Sequence, residues 1–274
     1  PALIGAEAAG TQNDFALGLS GGRVHAKIAA GDGLGTRSPA SPTYSDGQPR
    51  IATATRVQAA SGALNLYVDS ENVASGTSDN VVLDDPTSIG IGNHTDPVTS
   101  AQFAGDIPEV IIYADDLTAD ERTRVETYAA IKYGITRNDT DDAGTVSFDE
   151  RDYRSASGTV IWDYDGQGAT YYNDIAGIGR DDISCFEQRQ SRSINSDAIV
   201  TMGLGTIAGS NLLNPNPFAS DDSYLLWGND NASTTFAGRT TGVSGLSTVT
   251  ERMTRIWRVD ETATDVGSTS ISFD

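Results

Sequence analysis

Lysine occurs only at Lys27 and Lys132, histidine only at His25 and His94, and cysteine only at Cys185. A single thiol cannot close an internal disulfide. Set in an Ile-Ser-Cys-Phe stretch, Cys185 is expected to be a small core residue rather than a nucleophile. Two histidines without a second cysteine do not supply a transition-metal ligand set. No apolar run approaches the length of a membrane-spanning helix. Positive charge is also scarce: 18 basic residues face 38 acidic ones, for a net charge of −20. That balance argues against nucleic acid or an anionic membrane as partner. It leaves three ways to carry the charge: bound divalent cations, salty surroundings, or simply a soluble acidic surface.

Turn-formers, by contrast, are abundant, with 29 glycines in a chain that is 38% hydrophobic. This suits many short strands joined by polar turns. Asp14-Phe-Ala-Leu-Gly-Leu-Ser, Gly21-Gly22 and Arg23-Val-His-Ala-Lys-Ile read as a hairpin. Strands are also predicted at Arg50–Arg56, Ala63–Asp69, Asn72–Ser75, Ser88–Gly92 and Pro108–Tyr113, the rhythm of a sandwich or barrel. One helix interrupts them at Leu117–Gly134. Thr118 and Glu121 form a capping box, and Val125, Tyr128, Ala129 and Lys132 are predicted to share its inner face. The acidic joint Asn138–Gly144 sets a boundary between residues 1–137 and 138–274. Beyond it, strands are predicted at Thr159–Asp163, Ala198–Leu204, Ser223–Trp227 and Arg255–Val259, and core packing is expected of their three tryptophans. The start at Pro1 and the alternation up to Asp274 read as an excerpt of a longer chain, truncated within its second domain.

Phe103-Ala-Gly-Asp-Ile-Pro-Glu-Val-Ile-Ile-Tyr113, then Leu117-Thr-Ala-Asp-Glu-Arg and Tyr128-Ala-Ala-Ile-Lys-Tyr-Gly-Ile135, resembles the closing stretch of bacterial laminin-G-like, concanavalin A-like domains. Asp46-Gly47-Gln48 and Leu66-Tyr-Val-Asp69 resemble middle strands of the same family. The resemblance implies a jelly-roll sandwich over residues 1–137 that lacks its opening strands. Asp174-Ile-Ala-Gly-Ile-Gly-Arg-Asp-Asp182, Gln190-Ser-Arg-Ser, Leu225-Leu-Trp-Gly-Asn-Asp230 and Arg255-Ile-Trp-Arg-Val-Asp-Glu261 resemble a domain of unknown function that follows such modules in bacterial adhesins. Together these imply an all-β chain of two sandwich-like domains from a secreted or cell-surface protein.

The glycosidases that share the concanavalin A-like fold carry Glu-x-Asp-x-x-Glu on one strand. Here only Glu150-Arg-Asp152 begins that pattern, and Ser155 holds its last position. Gly18-Leu-Ser-Gly-Gly22 has the letters of a nucleophile elbow but is followed by a strand-like run rather than a helix. No enzyme is therefore expected. Calcium is the metal the loops could hold, through clustered oxygen ligands. Asp139, Asp141, Gly144 and Glu150 keep EF-hand spacing, although Ala143 stands where an oxygen belongs; a solvated acidic linker is the competing reading. Asp163, Asp165, Asp174, Asp181 and Asp182 form a second group of carboxylates, read as loop residues whose alternative role is ordinary turn chemistry. The expected function is non-catalytic adhesion through a glycan or protein ligand, assisted by calcium. The alternative is a structural spacer or surface-fibre subunit that contacts neighbouring domains or other subunits.

Overall fold

The structure, a computed structural model, describes residues 1–6, 14–28, 35–83, 89–93, 102–138, 149–166, 168–238, 251–263 and 265–274. It is an all-β protein of antiparallel sheets, with one α-helix among the described residues. Two compact units divide it: residues 1–122 with 138–141, and residues 123–137 with 142–274. Composition sets a boundary between residues 137 and 138; in the structure most of the helix before it packs with the second unit. The reason is that its buried side faces a sheet formed later in the chain, as described below.

The first unit holds β1 (Ala2–Ala6), β2 (Phe15–Ser20), β3 (Arg23–Ile28), β4 (Gly35–Arg37), β5 (Ala52–Arg56), β6 (Ala63–Val68), β7 (Glu71–Thr77) and β8 (Gly90–Ile91). One sheet has the order β4-β3-β2-β1-β8 and the other β5-β6-β7. Gly21 and Gly22, with φ of 58° and 73°, make the two-residue turn between β2 and β3, where Ser20 pairs with Arg23. Both positions need positive φ, which glycine supplies without steric cost. Val24, Ala26 and Ile28 alternate on β3, and Leu64, Leu66 and Val68 on β6. These six aliphatics form the buried core between the sheets.

Pro108–Tyr113, expected as a strand, is not one: it forms no ladder with any described residue, and Ile111, Ile112 and Tyr113 are exposed. Apolar alternation makes a strand only where a neighbouring strand takes its backbone hydrogen bonds.

The second unit contains most of α1 (Ala119–Tyr133), then β9 (Tyr153–Arg154), β10 (Val160–Trp162), β11 (Asn173–Asp181), β12 (Phe186–Gln188), β13 (Gln190–Arg192), β14 (Val200–Leu204), β15 (Ser223–Asn229), β16 (Phe236–Gly238), β17 (Glu251–Met253), β18 (Trp257–Ala263) and β19 (Thr269–Phe273). Its sheets run β12-β11-β15-β18 and β13-β14-β19. Ala176 and Ile178, Leu225 and Trp227, and Val200, Met202 and Leu204 point into the space between them and share one core with Phe218 and Val266.

The opposite face of β11 and β15 receives α1. A side chain at Gly177 would come within 3.3 Å of the Ile131 Cγ2 atom and 2.9 Å of Leu226 Cγ, so glycine there admits the helix. The buried side of the helix is Thr123, Glu126, Thr127, Ala130 and Ile131, not the face expected from the sequence. Val125, Tyr128, Ala129 and Lys132 are only half-buried. Thr127 can face inward because the neighbouring backbone uses its hydroxyl: the Arg154 N–H donates to Thr127 Oγ1 at 3.1 Å. Cys185 is exposed, at φ 54° in the turn after β11, and is not the core residue expected.

Candidate functional site

Asp174 and Asp181 sit near the two ends of β11, buried in the sheet, and not in loops as the sequence suggested. The signal was masked by Gly177 and Gly179 and by the acidic ends, all of which lower strand propensity. Asp174 has φ 53° and marks an irregularity in the pairing of β11 with β15. Its carboxylate accepts hydrogen bonds from Asn195 Nδ2 at 2.9 Å, Asn229 Nδ2 at 2.7 Å and Arg255 Nη1 at 3.2 Å. Arg255 also donates to the Ala232 carbonyl at 2.6 Å and pairs with Asp197 at 3.0 Å. A buried charge held this way is stable only while every partner stays in place.

At the other end, Asp181 Oδ1 accepts from the Ile183 and Ser184 amides and closes the turn after β11. Its Oδ2 accepts from the Ala156 amide at 2.9 Å and the Tyr224 hydroxyl at 2.7 Å. Burial first, and then the Asp181 carboxylate, push the Tyr224 phenol far above its ordinary range, so it acts as a fixed donor.

The remaining sequence-predicted carboxylates gather partly around an arginine. Arg151 bridges Asp149 at 2.7 Å and Asp165 at 2.9 Å while stacking 4.2 Å from the Tyr164 ring centroid. Asp163 accepts from the Gly166 amide at 2.7 Å, a local side-chain-to-backbone bond three residues on. Glu150 is joined to this region through its carbonyl, which accepts from the buried Arg137 at 2.6 Å. The cluster's burden falls on Asp152, whose carboxyl is pushed up to about 6, chiefly by burial and further by Asp149 and Asp163. Asp182 stands apart, paired with Arg180 at 2.8 Å. Asp139 and Asp141 lie outside the described residues. Among the described residues, no three Asp, Glu, His or Cys side chains gather around a position for one ion.

Sequence reasoning missed an open hollow of about 320 Å³ at the C-terminal end of α1. Lys132 and Tyr133 of the helix face Gln190 and Arg192 of β13, with Gln188 and Asn211 beside them. Gly134 makes this junction possible. At φ 67° it ends the helix, with the Ile135 N–H returning to the Ala130 carbonyl at 2.9 Å. A Cβ there would collide with the Arg192 carbonyl, and the Gly134 carbonyl accepts from the Ile194 N–H at 2.9 Å.

The amides of the hollow are pre-ordered. Asn211 Oδ1 accepts from the Arg189 N–H at 2.6 Å, and its Nδ2 donates to Gln188 Oε1 at 3.2 Å. Gln190 exchanges two bonds with Ala208, at 2.8 and 2.6 Å. Lys132 Nζ lies 2.5 Å from the Tyr128 hydroxyl, and Arg192 bonds Asp274 and the Ala198 carbonyl. The available sequence signals were the rarity of lysine and the Gln190-Ser-Arg stretch, which nothing local joins to Lys132.

Residues 121–274, more than half of the chain, match the model of a family described as a domain of unknown function, DUF8202. The chain belongs to this family. Nothing among the curated proteins or the solved structures matches it. The DUF8202 match begins within α1, close to the start of the second compact unit at Thr123. Both the Asp174–Arg255 cluster and the hollow therefore lie inside the DUF8202 part.

Proposed function

We propose that the chain is a non-catalytic binding module of a secreted or surface-exposed bacterial protein, whose DUF8202 part holds an acidic glycan in the hollow beside Gly134. The observation that carries this reading is the composition of the hollow. A chain of net charge −20 sets one of its two lysines and an arginine beside an aromatic ring and three ordered amides. Amides bond sugar hydroxyls, a phenol ring covers a sugar face, and the two cations favour a carboxylate or sulfate. The volume lies near the lower end of small-ligand sites. Such a ligand would compete with Asp274 for Arg192.

The likeness of residues 1–137 to laminin-G-like domains supports a surface setting for the same module. Calcium belongs to this proposal through the spacing of Asp139, Asp141 and Glu150 alone. Millimolar calcium raising the unfolding midpoint by several degrees, and chelator reversing it, would support that part. An unchanged midpoint would remove it.

Calorimetric titration with polygalacturonate oligosaccharides and with neutral dextran tests the binding. We expect the uronate to bind and dextran not to, with Lys132→Met and Arg192→Gln each weakening affinity by roughly tenfold. Equal binding of both sugars, or none, would remove the acidic-glycan reading. A structural subunit is the second reading, favoured by the open strand edge described next.

A further inference from the structure

The two sheets of the second unit part company along one side. Ile271 and Phe273 of β19 lie opposite Met202 and Val200, whose side chains point into the core. Val259 of β18 lies opposite Trp227, another core residue. All three therefore project from the inner faces of their sheets, where a sandwich keeps its apolar residues covered. Yet Val259 is 47%, Ile271 50% and Phe273 54% exposed. Among the described residues, the Trp257–Phe273 ring pair, at 5.4 Å, reaches across this side.

Among the described residues, β19 is also the terminal strand of its sheet. The Asp274 N–H donates to Ile199, and the Ser268 carbonyl accepts from Gly205, so the even-numbered residues point their backbone groups at β14. By alternation, Thr269, Ile271 and Phe273 aim theirs outward. Exposed edges are ordinarily blunted by lysine, proline, a bulge or an inward charge. β19, Thr-Ser-Ile-Ser-Phe, has none of these, and its pairing with β14 is regular.

We propose that this edge pairs with the same edge of a second copy of the chain, antiparallel about a two-fold axis at Ile271. Two features select a second copy. Two copies of a chain of net charge −20 repel one another overall, and β19 itself, Thr269–Phe273, carries no charge to add to that. The strand is also self-complementary when reversed: Ile271 meets Ile271, Ser270 meets Ser272, and Thr269 meets Phe273. The outward groups of Thr269, Ile271 and Phe273 then face one another in hydrogen-bonded register, about six backbone bonds in all. The two-fold axis also brings the uncovered inner residues of both copies toward each other, so the contact closes on itself.

The test is molar mass by light scattering across a concentration series. We expect twice the 28.8 kDa of one chain. Ile271→Lys, at a half-exposed position, is expected to return a folded monomer whose unfolding midpoint matches that of the parent chain diluted to monomer, while Leu212→Lys on an exposed turn leaves the dimer intact. A monomer at roughly 100 μM, far above the dissociation constant of a specific pair, would overturn the proposal. So would a dimer that survives Ile271→Lys, or open-ended polymers. A monomer whose Thr269, Ile271 and Phe273 amides exchange slowly would show that another segment covers the edge, again overturning it. None of these outcomes depends on whether the hollow binds a glycan.

Discussion

Asp69 in the first unit and Asp174 in the second occupy nearly the same conformation, at φ 52° and 53°, and both are buried and paired with an arginine. Their surroundings differ. Asp69 accepts from the Ile51 amide at 2.9 Å and from Arg50 at 2.8 Å, and the Arg50 side chain is 35% exposed. Burial dominates there and raises the Asp69 carboxyl above its ordinary value despite Arg50. Asp174 instead binds three side chains from distant parts of the sequence, including an Arg255 side chain only 6% exposed. The first unit uses its aspartate to tie a local turn to a small aliphatic sandwich. The second uses its aspartate to lock β11, β15 and the start of β18 to one another. Equal backbone geometry thus carries unequal energetic weight, set by how much water reaches the partner.

That difference orders the expected effects. Arg255→Ala leaves Asp174 buried without its charge partner and should cost about 3–5 kcal/mol. Urea unfolding followed by tryptophan fluorescence reads this directly, since Trp162, Trp227 and Trp257 all lie in the second unit. Gly134→Ala should cost the same unit about 1–3 kcal/mol, because alanine at φ 67° is strained and its Cβ meets the Arg192 carbonyl. Arg50→Ala, removing a solvent-screened partner, should cost about 1 kcal/mol or less and leave the tryptophan transition where it was. Equal losses for Arg50→Ala and Arg255→Ala would break the contrast.

A further expected effect is a pH dependence. The folded-state value of Asp152, about 6, lies above its ordinary 3.8. The folded chain therefore holds this proton more tightly than the unfolded one. The stability it contributes is present in acid and is lost as pH rises from about 4 through about 6. Asp152→Asn keeps an acceptor for the Tyr164 amide and should gain midpoint relative to the parent between pH 4 and pH 7. A difference that stays flat over that range would contradict the assignment.

The features legible in the sequence were those whose cause is local. The Gly21-Gly22 hairpin and the Thr118/Glu121 capping box need only neighbouring residues, and the structure shows Thr118 N–H donating to Glu121 at 2.9 Å and the Glu121 N–H returning to Thr118 at 3.3 Å. The β14, β15 and β18 strands showed through their apolar runs. Features set by long-range contact were not legible. β11 reads as a glycine-broken acidic loop until α1 and Tyr224 occupy the room its glycines leave. The inner face of α1 carries Thr123, Glu126 and Thr127, which no hydropathy pattern selects. The carboxylates of residues 163–182 looked like one cation-seeking group. Local partners occupy Asp163 and Asp182, whereas Asp174 and one oxygen of Asp181 are held by groups far along the chain. The hollow joins residues near 132, 190 and 211, and no local pattern announces that meeting.

The most direct test of the proposed function is an amide chemical-shift titration of the 274-residue chain with a galacturonate oligosaccharide. We expect the shifts to concentrate at Lys132–Gly134, Gln188–Arg192, Thr201 and Asn211, and to vanish in Lys132→Met. Shifts confined to the first unit, or a spectrum unchanged by the sugar, would contradict the binding role given to the hollow.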